Sequence, residues 1–400
     1  MQTIFRWWTV WGMLWVASPA WAWNVTFCVD VNVNYVNAAG GDYWTDNAVH
    51  KAARWFRYDV TKLVAGTFVT VASGNLGTSN ATKGCTGTLS LTGNDHRLIV
   101  YPEGVVGTND FLHEVPGAVV FGTYNFAADT TVNEVISYAD ESYAQLAILA
   151  YALWEHDGGN SNESFRMDHD GCCSASASQI HLSATQAGKY IIAHEIGHSV
   201  IYKRAIGIPE VALAGGPENC DGGIGMLVKR HQTNAISEGS ATWYALITWN
   251  EKDEGDCDYR TGDADFNLNG ATDVAAGTKV DCAGDPEPAG SLTDGRHWLS
   301  DLVTGTNALG CTGTLTDRST SYDWFHYLWN LHAYGAGAAG DGLTANQIID
   351  IFVEADPTTW DADGGGVVAD DPWPRWDAAA RALSQAIEDA HDAQLDQVDH

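Results

Sequence analysis

The sequence predicts an α+β fold in which strands come first and helices follow. Between residues 25 and 35, apolar residues alternate with small or polar ones, which is the period of a half-buried strand. Similar runs, separated by turns rich in Gly, Asn and Thr, recur up to residue 121. From Thr131 to Leu153, apolar residues instead recur at helical spacing. We therefore expect a β-rich region over residues 23–125 and a mostly helical region over residues 126–400.

Residues 1–22 have the pattern of an export signal. Arg6 precedes an apolar, Trp-rich run that ends at Ala17, and Pro19-Ala20-Trp21-Ala22 is a small-x-small cleavage pattern. A membrane anchor is the alternative, but the run is short for spanning a bilayer and no basic cluster follows it. The sequence thus predicts a secreted or periplasmic protein without membrane insertion once the signal is removed.

The remaining elements follow from local patterns. Strands are expected at 67–72, 97–101, 118–121 and 176–182, and helices at 46–56, 321–333, 344–354 and 376–397. Asp, Gly and Asn are frequent in 253–284, which predicts a long surface loop. The β-rich region 23–125 is a subdomain, the sheet of the catalytic unit or a propeptide, and the pattern leaves these alternatives open.

The net charge argues against two kinds of binding partner, and the cysteine content predicts disulfides. The formal net charge is −31, from 51 acidic and 20 basic residues, which argues against binding to nucleic acid or to an anionic membrane. Eight cysteines in an exported chain predict disulfides. Their pairing stays open, since eight cysteines allow 105 connectivities. Zinc thiolate sites are disfavoured because no C-x-x-C pair occurs.

The most informative motif is His194-Glu195-Ile196-Gly197-His198. Two histidines four residues apart lie on one face of a helix, and the adjacent Glu can reach a water held between them and a metal. The other residues between Ile191 and Val200 are uncharged, as suits a buried helix beside a metal. Two structural histidines and a solvated Glu are the alternative. A catalytic zinc also needs a third protein ligand and one open position.

Glu238 is the best candidate for that third ligand. The metzincin pattern is excluded because Ile201 and Arg204 occupy the places of its Gly and third His. Glu238, in contrast, is the one acid in a helical, largely apolar run over residues 235–249. A lone carboxylate on such a helix needs a partner, and zinc would satisfy it.

Together these residues resemble the gluzincins, zinc metallopeptidases in which a downstream Glu-Gly-x-Ala helix supplies the third ligand. The resemblance covers about residues 183–249. It implies a zincin-like catalytic domain in which His194, His198 and Glu238 hold zinc and Glu195 is the general base. The gap between the two parts of the motif is longer than in the best-known members, which leaves the subfamily open.

Several further residues are candidates for supporting roles. Thr242 stands where some gluzincins carry an acid that orients a zinc histidine, and its hydroxyl could accept the same ring N–H. The family's oxyanion donor is a downstream Tyr or His, for which Tyr322 and His326 are candidates, with helix packing as the alternative. His231 either lines the cleft or is a capping or surface histidine. The segment 215–219 is similar to an aminopeptidase recognition motif, but it follows the metal helix and so gives no support for an exopeptidase.

A second metal is suggested by the loop that begins at Asp265. Asp265, Asn267, Asn269 and Asp273 follow the alternating oxygen-ligand pattern of a calcium loop. Ala276 stands where such loops carry a bidentate Glu, so a plain turn is the alternative. Ca²⁺ is therefore a candidate cofactor beside Zn²⁺.

The expected function is hydrolysis of peptide bonds in protein or peptide substrates by an exported zinc endopeptidase. Zinc would lower the pKa of a bound water to about 7, and Glu195 would take its proton. The alternatives are a non-catalytic extracellular binding protein that keeps the zincin fold and a zinc hydrolase of a non-peptide bond. The intact Glu195 argues against the first alternative. The oligomeric state is not predicted.

Overall fold

A computed structural model describes the chain in sixteen ranges. They are 22–33, 50–78, 83–106, 109–114, 117–137, 141–157, 164–170, 173–177, 179–182, 189–204, 229–249, 257–258, 279–280, 318–335, 342–356 and 373–398. The predicted calcium loop with Asp265, Asn267, Asn269 and Asp273 lies outside them, as do residues 1–21 and 215–219.

Strands dominate the first part of the described chain and helices the second. The strands are β1 Ala22–Asn32, β2 His50–Ala52, β3 Phe56–Val64, β4 Thr67–Asn75, β5 Gly84–Cys85, β6 Leu89–Thr92, β7 His96–Val106, β8 Asn109–His113, β9 Val119–Tyr124, β10 Thr130–Ile136, β11 Phe165–Asp168, β12 Ser174–Ala175, β13 Ile180–His181, β14 Lys229–His231, β15 Cys257–Asp258, β16 Lys279–Val280 and β17 Arg318–Thr320. The helices are α1 Glu141–Asp157, α2 Lys189–Arg204, α3 Gln232–Trp249, α4 Ser321–Ala333, α5 Ala345–Glu354, α6 Trp373–Leu383 and α7 Gln385–Val398.

The first sheet is built around β1. This strand pairs in parallel with β10 and antiparallel with β2, β5 and β6. Its apolar residues at alternate positions are fully buried, as the sequence pattern predicts for Val25, Phe27, Val29 and Val31. A disulfide between Cys28 and Cys85 joins β1 to β5. Cys173 is also disulfide-bonded, so disulfides form as the cysteine content predicts.

Two predicted helical stretches are strands in the structure. Residues 131–136 belong to β10, and α1 begins only at Glu141. The error has a geometric cause, because residues four apart, such as Val132 and Ile136, share a face in a strand as well as in a helix. The predicted helix at 46–56 is wrong at 50–52, which forms β2 against β1. It is wrong again at Trp55, whose φ of 63° turns the chain into β3.

The second sheet has eight strands and connects the two halves of the chain. Its order is β12-β13-β11-β8-β7-β3-β4, with β9 also paired to β7. Strands β8, β11 and β13 run parallel, whereas β12 is antiparallel to β13. Because β8 pairs with β11 and β1 with β10, residues on both sides of position 125 share sheets and one hydrophobic core. Whether residues 23–125 are a subdomain, the sheet of the catalytic unit or a propeptide stays open.

The helices cover this sheet and pack against one another. Helix α2 contacts β12, β13 and α3, and α3 packs along α4. Four tryptophans in the helical part, Trp243, Trp324, Trp329 and Trp376, are fully buried.

The C-terminal segment, predicted as one helix, forms two helices. The first ends before Ser384, whose hydroxyl accepts the backbone N–H of Ile387 at the start of the second. No helix among the described residues has the length and apolar character needed to cross a bilayer.

The burial of His113 predicts a loss of stability in acid. Its ring is 3% exposed and its Nε2–H donates to Oε1 of Gln145 at 2.8 Å. Burial lowers the pKa of His113 from 6.5 to about 4. The unfolded chain therefore binds this proton more readily than the folded one. Well above pH 6.5 the group does not lower the free energy of unfolding, and this free energy falls as the pH drops from 6.5 to 4.

At pH 5, this group is expected to reduce the free energy of unfolding by about 2 kcal/mol relative to pH 8. Urea unfolding of the wild type and of His113→Gln at both pH values measures this change. Gln is chosen because it keeps a hydrogen-bonding side chain but cannot titrate. The variant should lose less stability on acidification than the wild type. Equal losses in the two proteins would contradict the assignment to His113.

Candidate metal centre

The motif His194-Glu195-Ile196-Gly197-His198 lies in the middle of helix α2. Ile192, Ala193 and Ile196 on this helix are fully buried, which holds it in the core. His194 and His198, four residues apart, present their rings on the same side with centroids 4.6 Å apart. Their Nε2 atoms are 3.1 Å apart.

Helix α3 approaches α2 closely at Gly197. A methyl group placed on Gly197 would lie 2.8 Å from Cβ of Tyr244 and 3.1 Å from the backbone of Ala241. A side chain at this position would therefore separate the helices. The absence of one lets α3 bring Glu238 to the two histidines.

The third predicted ligand converges on the pair. Glu238 Oε2 is 3.3 Å from His194 Nε2, and Glu238 Oε1 is 3.8 Å from His198 Nε2. Within the described part of the chain, these three form the one group of three or more His, Cys, Asp or Glu side chains that could hold a metal ion. The side chains of His194 and Glu238 are 21% and 34% exposed, so the centre opens to solvent on one side.

This arrangement fits zinc. Tetrahedral zinc with ligands at 2.0–2.2 Å places neighbouring ligand atoms about 3.3 Å apart. The two Nε2 atoms are 3.1 Å apart, and Glu238 Oε2 is 3.3 Å from His194 Nε2. Two imidazoles and one carboxylate form a donor set that zinc accepts with a fourth position open.

Each histidine also has a hydroxyl at its second nitrogen. Thr242 Oγ1 lies 3.3 Å from His194 Nδ1, which is the contact that the sequence suggests. Ser237 Oγ lies 3.4 Å from His198 Nδ1, a contact that sequence reasoning missed. The sequence feature that could have identified Ser237 is its position on the same helix directly before Glu238, the third candidate ligand. Both contacts favour the tautomer whose Nε2 lone pair faces the centre.

For the other candidate residues, the structure gives the position of the backbone or the burial of the side chain. Glu195 follows the first histidine on α2 and is buried, with 6% exposure. Tyr322 and His326 lie in α4 and His231 ends β14, but their side chains fall outside the described part. Strands β14 and β17 pair antiparallel, which joins the start of α3 to the start of α4.

No protein-family model, curated protein or solved structure matches the chain. The resemblance to gluzincins therefore depends on the sequence motif, and the structure adds that His194, His198 and Glu238 lie close enough to bind one ion.

Proposed function

We propose that this chain is an exported zinc endopeptidase of gluzincin type. The observation that carries the proposal is the convergence of His194, His198 and Glu238, from two helices, within the 4.8 Å that a single ion can bridge. The hydroxyls of Ser237 and Thr242 behind the imidazoles support it, because metal-binding histidines nearly always donate their other N–H to a partner.

The residues suit hydrolysis by an activated water. Zinc bound at this centre would supply a Lewis acid that acidifies a water and polarises a carbonyl group. Glu195 would accept the proton of the attacking water and hold it on its carboxylate until the leaving amine takes it. Its position next to His194 on α2 and its low exposure suit that role.

We propose an extended polypeptide as the substrate. Strand β12 ends the order of the eight-stranded sheet, as far as the described residues go, and helix α2 packs against it. A sheet edge offers backbone N–H and C=O groups with which an extended chain can pair. Pairing of this kind needs no free terminus, which is why we propose an endopeptidase.

Metal analysis and a casein assay test the proposed function. The purified protein is expected to retain about one zinc per chain, to cleave unfolded casein, and to lose this activity on chelation and recover it when zinc is restored. Zinc binding without cleavage of casein or of a panel of esters and amides would indicate the non-catalytic alternative. Cleavage of non-peptide substrates alone would indicate the other hydrolase, and a protein that stays metal-free at saturating zinc would refute the proposal.

A further inference from the structure

His198 is held in place by two hydroxyls that follow one another. Its Nδ1 lies 3.4 Å from Ser237 Oγ, which lies 3.0 Å from the hydroxyl of Tyr202. Ser237 is 1% and Tyr202 is 9% exposed, so this chain of contacts is shielded from solvent. It crosses from α2 to α3 and back, which ties the two helices that carry the candidate ligands.

Tyr202 contacts His198 in a second way. It lies one turn after His198 on α2, and its ring stacks on the imidazole with a centroid separation of 5.8 Å and an interplanar angle of 16°. The aromatic ring thus restricts the tilt of the imidazole, whereas the hydroxyl acts on Nδ1 through Ser237. These two contributions are separable, because phenylalanine would keep the first and remove the second.

The direction of the hydrogen bonds follows from metal binding. For Nε2 of His198 to offer its lone pair to a metal, the ring proton must sit on Nδ1 and be donated to Ser237 Oγ. Ser237 must then keep an oxygen lone pair turned toward the imidazole. A serine hydroxyl rotates freely unless it has another partner, and Tyr202 is that partner.

We propose that Tyr202 is a positioning residue for the metal centre, holding His198 through Ser237 in the tautomer and orientation that bind the ion. This inference rests on the proposed zinc site and assigns to Tyr202 a role beyond packing. His194 is supported differently, by the hydroxyl of Thr242, so the contacts at the second nitrogens of the two histidines come from separate side chains.

Zinc affinity in a double-mutant cycle tests the proposal. Tyr202→Phe is expected to weaken zinc binding about 10-fold, measured by competition with a chromophoric chelator, and Ser237→Ala at least as much. Because the two hydroxyls act in series, adding Tyr202→Phe to Ser237→Ala should cause no further loss. The visible absorption of the cobalt(II) protein should shift in Tyr202→Phe, since the orientation of one ligand changes.

Thr248→Val provides the matched control. Thr248 is also buried on α3, but its hydroxyl donates to the backbone oxygen of Tyr244 and not to a histidine. This variant should bind zinc as the wild type does. Wild-type affinity and an unchanged cobalt spectrum in Tyr202→Phe, or additive effects of the two substitutions, would overturn the role of Tyr202 and leave the zinc site intact. A wild type that binds no zinc would overturn both proposals.

Discussion

Replacement of Glu195 by Gln is expected to lower kcat/KM for a peptide substrate by about 10²- to 10⁴-fold, the usual contribution of a general base. The amide has nearly the shape of the carboxylate but cannot accept a proton. Zinc content should stay at the wild-type level, because the candidate ligands are His194, His198 and Glu238. Steady-state hydrolysis of a quenched fluorescent peptide and metal analysis of the same preparation measure both quantities.

The control for this variant is an exposed acid on a helix that carries none of the candidate ligands. Glu354 is exposed at the end of α5, and Glu354→Gln should change neither rate nor zinc content. Wild-type turnover in Glu195→Gln would contradict the general-base role. Loss of zinc together with activity would instead indicate that Glu195 supports the metal directly.

The candidate ligands could be predicted because helix geometry is local. A spacing of four residues puts His194 and His198 on one face whatever the rest of the fold does. Glu238 could be predicted from its isolation in an apolar run, since a lone acid on an otherwise apolar helix needs a partner. The contacts of Ser237 and Tyr202 could not, because they depend on how α2 crosses α3.

The sheets show the limit of local patterns. The order of strands first and helices later was visible in the change of period at Thr131, although the first helix begins only at Glu141. The pairing of β8 with β11, however, places Phe111 opposite Phe165, two residues from distant parts of the sequence, and no local period encodes such a contact. The strand at 130–136 was missed for a related reason, because the spacing of Val132 and Ile136 suits both periods and the pairing with β1 decides between them.

Replacement of Gly197 by Ala is expected to destabilise the protein by about 3 kcal/mol, at the upper end for overpacking. In an isolated helix the same change would stabilise by about 0.5–1 kcal/mol, so the sign of the effect reports the helix contact. The added methyl would lie 2.8 Å from Cβ of Tyr244 and 3.1 Å from the backbone of Ala241. Neither the backbone of Ala241 nor the Cβ atom of Tyr244 can rotate away from the added methyl, so α3 must move as a unit.

Movement of α3 would also displace Glu238 from the histidines of α2, and zinc affinity should fall by about 10- to 100-fold. Urea unfolding and chelator competition measure the two effects on one preparation. Gly87→Ala is the control, because a methyl group there meets no atom within 4 Å, and it should leave both quantities unchanged. If Gly197→Ala were as stable as the wild type and bound zinc equally well, the helices would not depend on this close contact, and the geometry that brings the third ligand to the pair would need another cause.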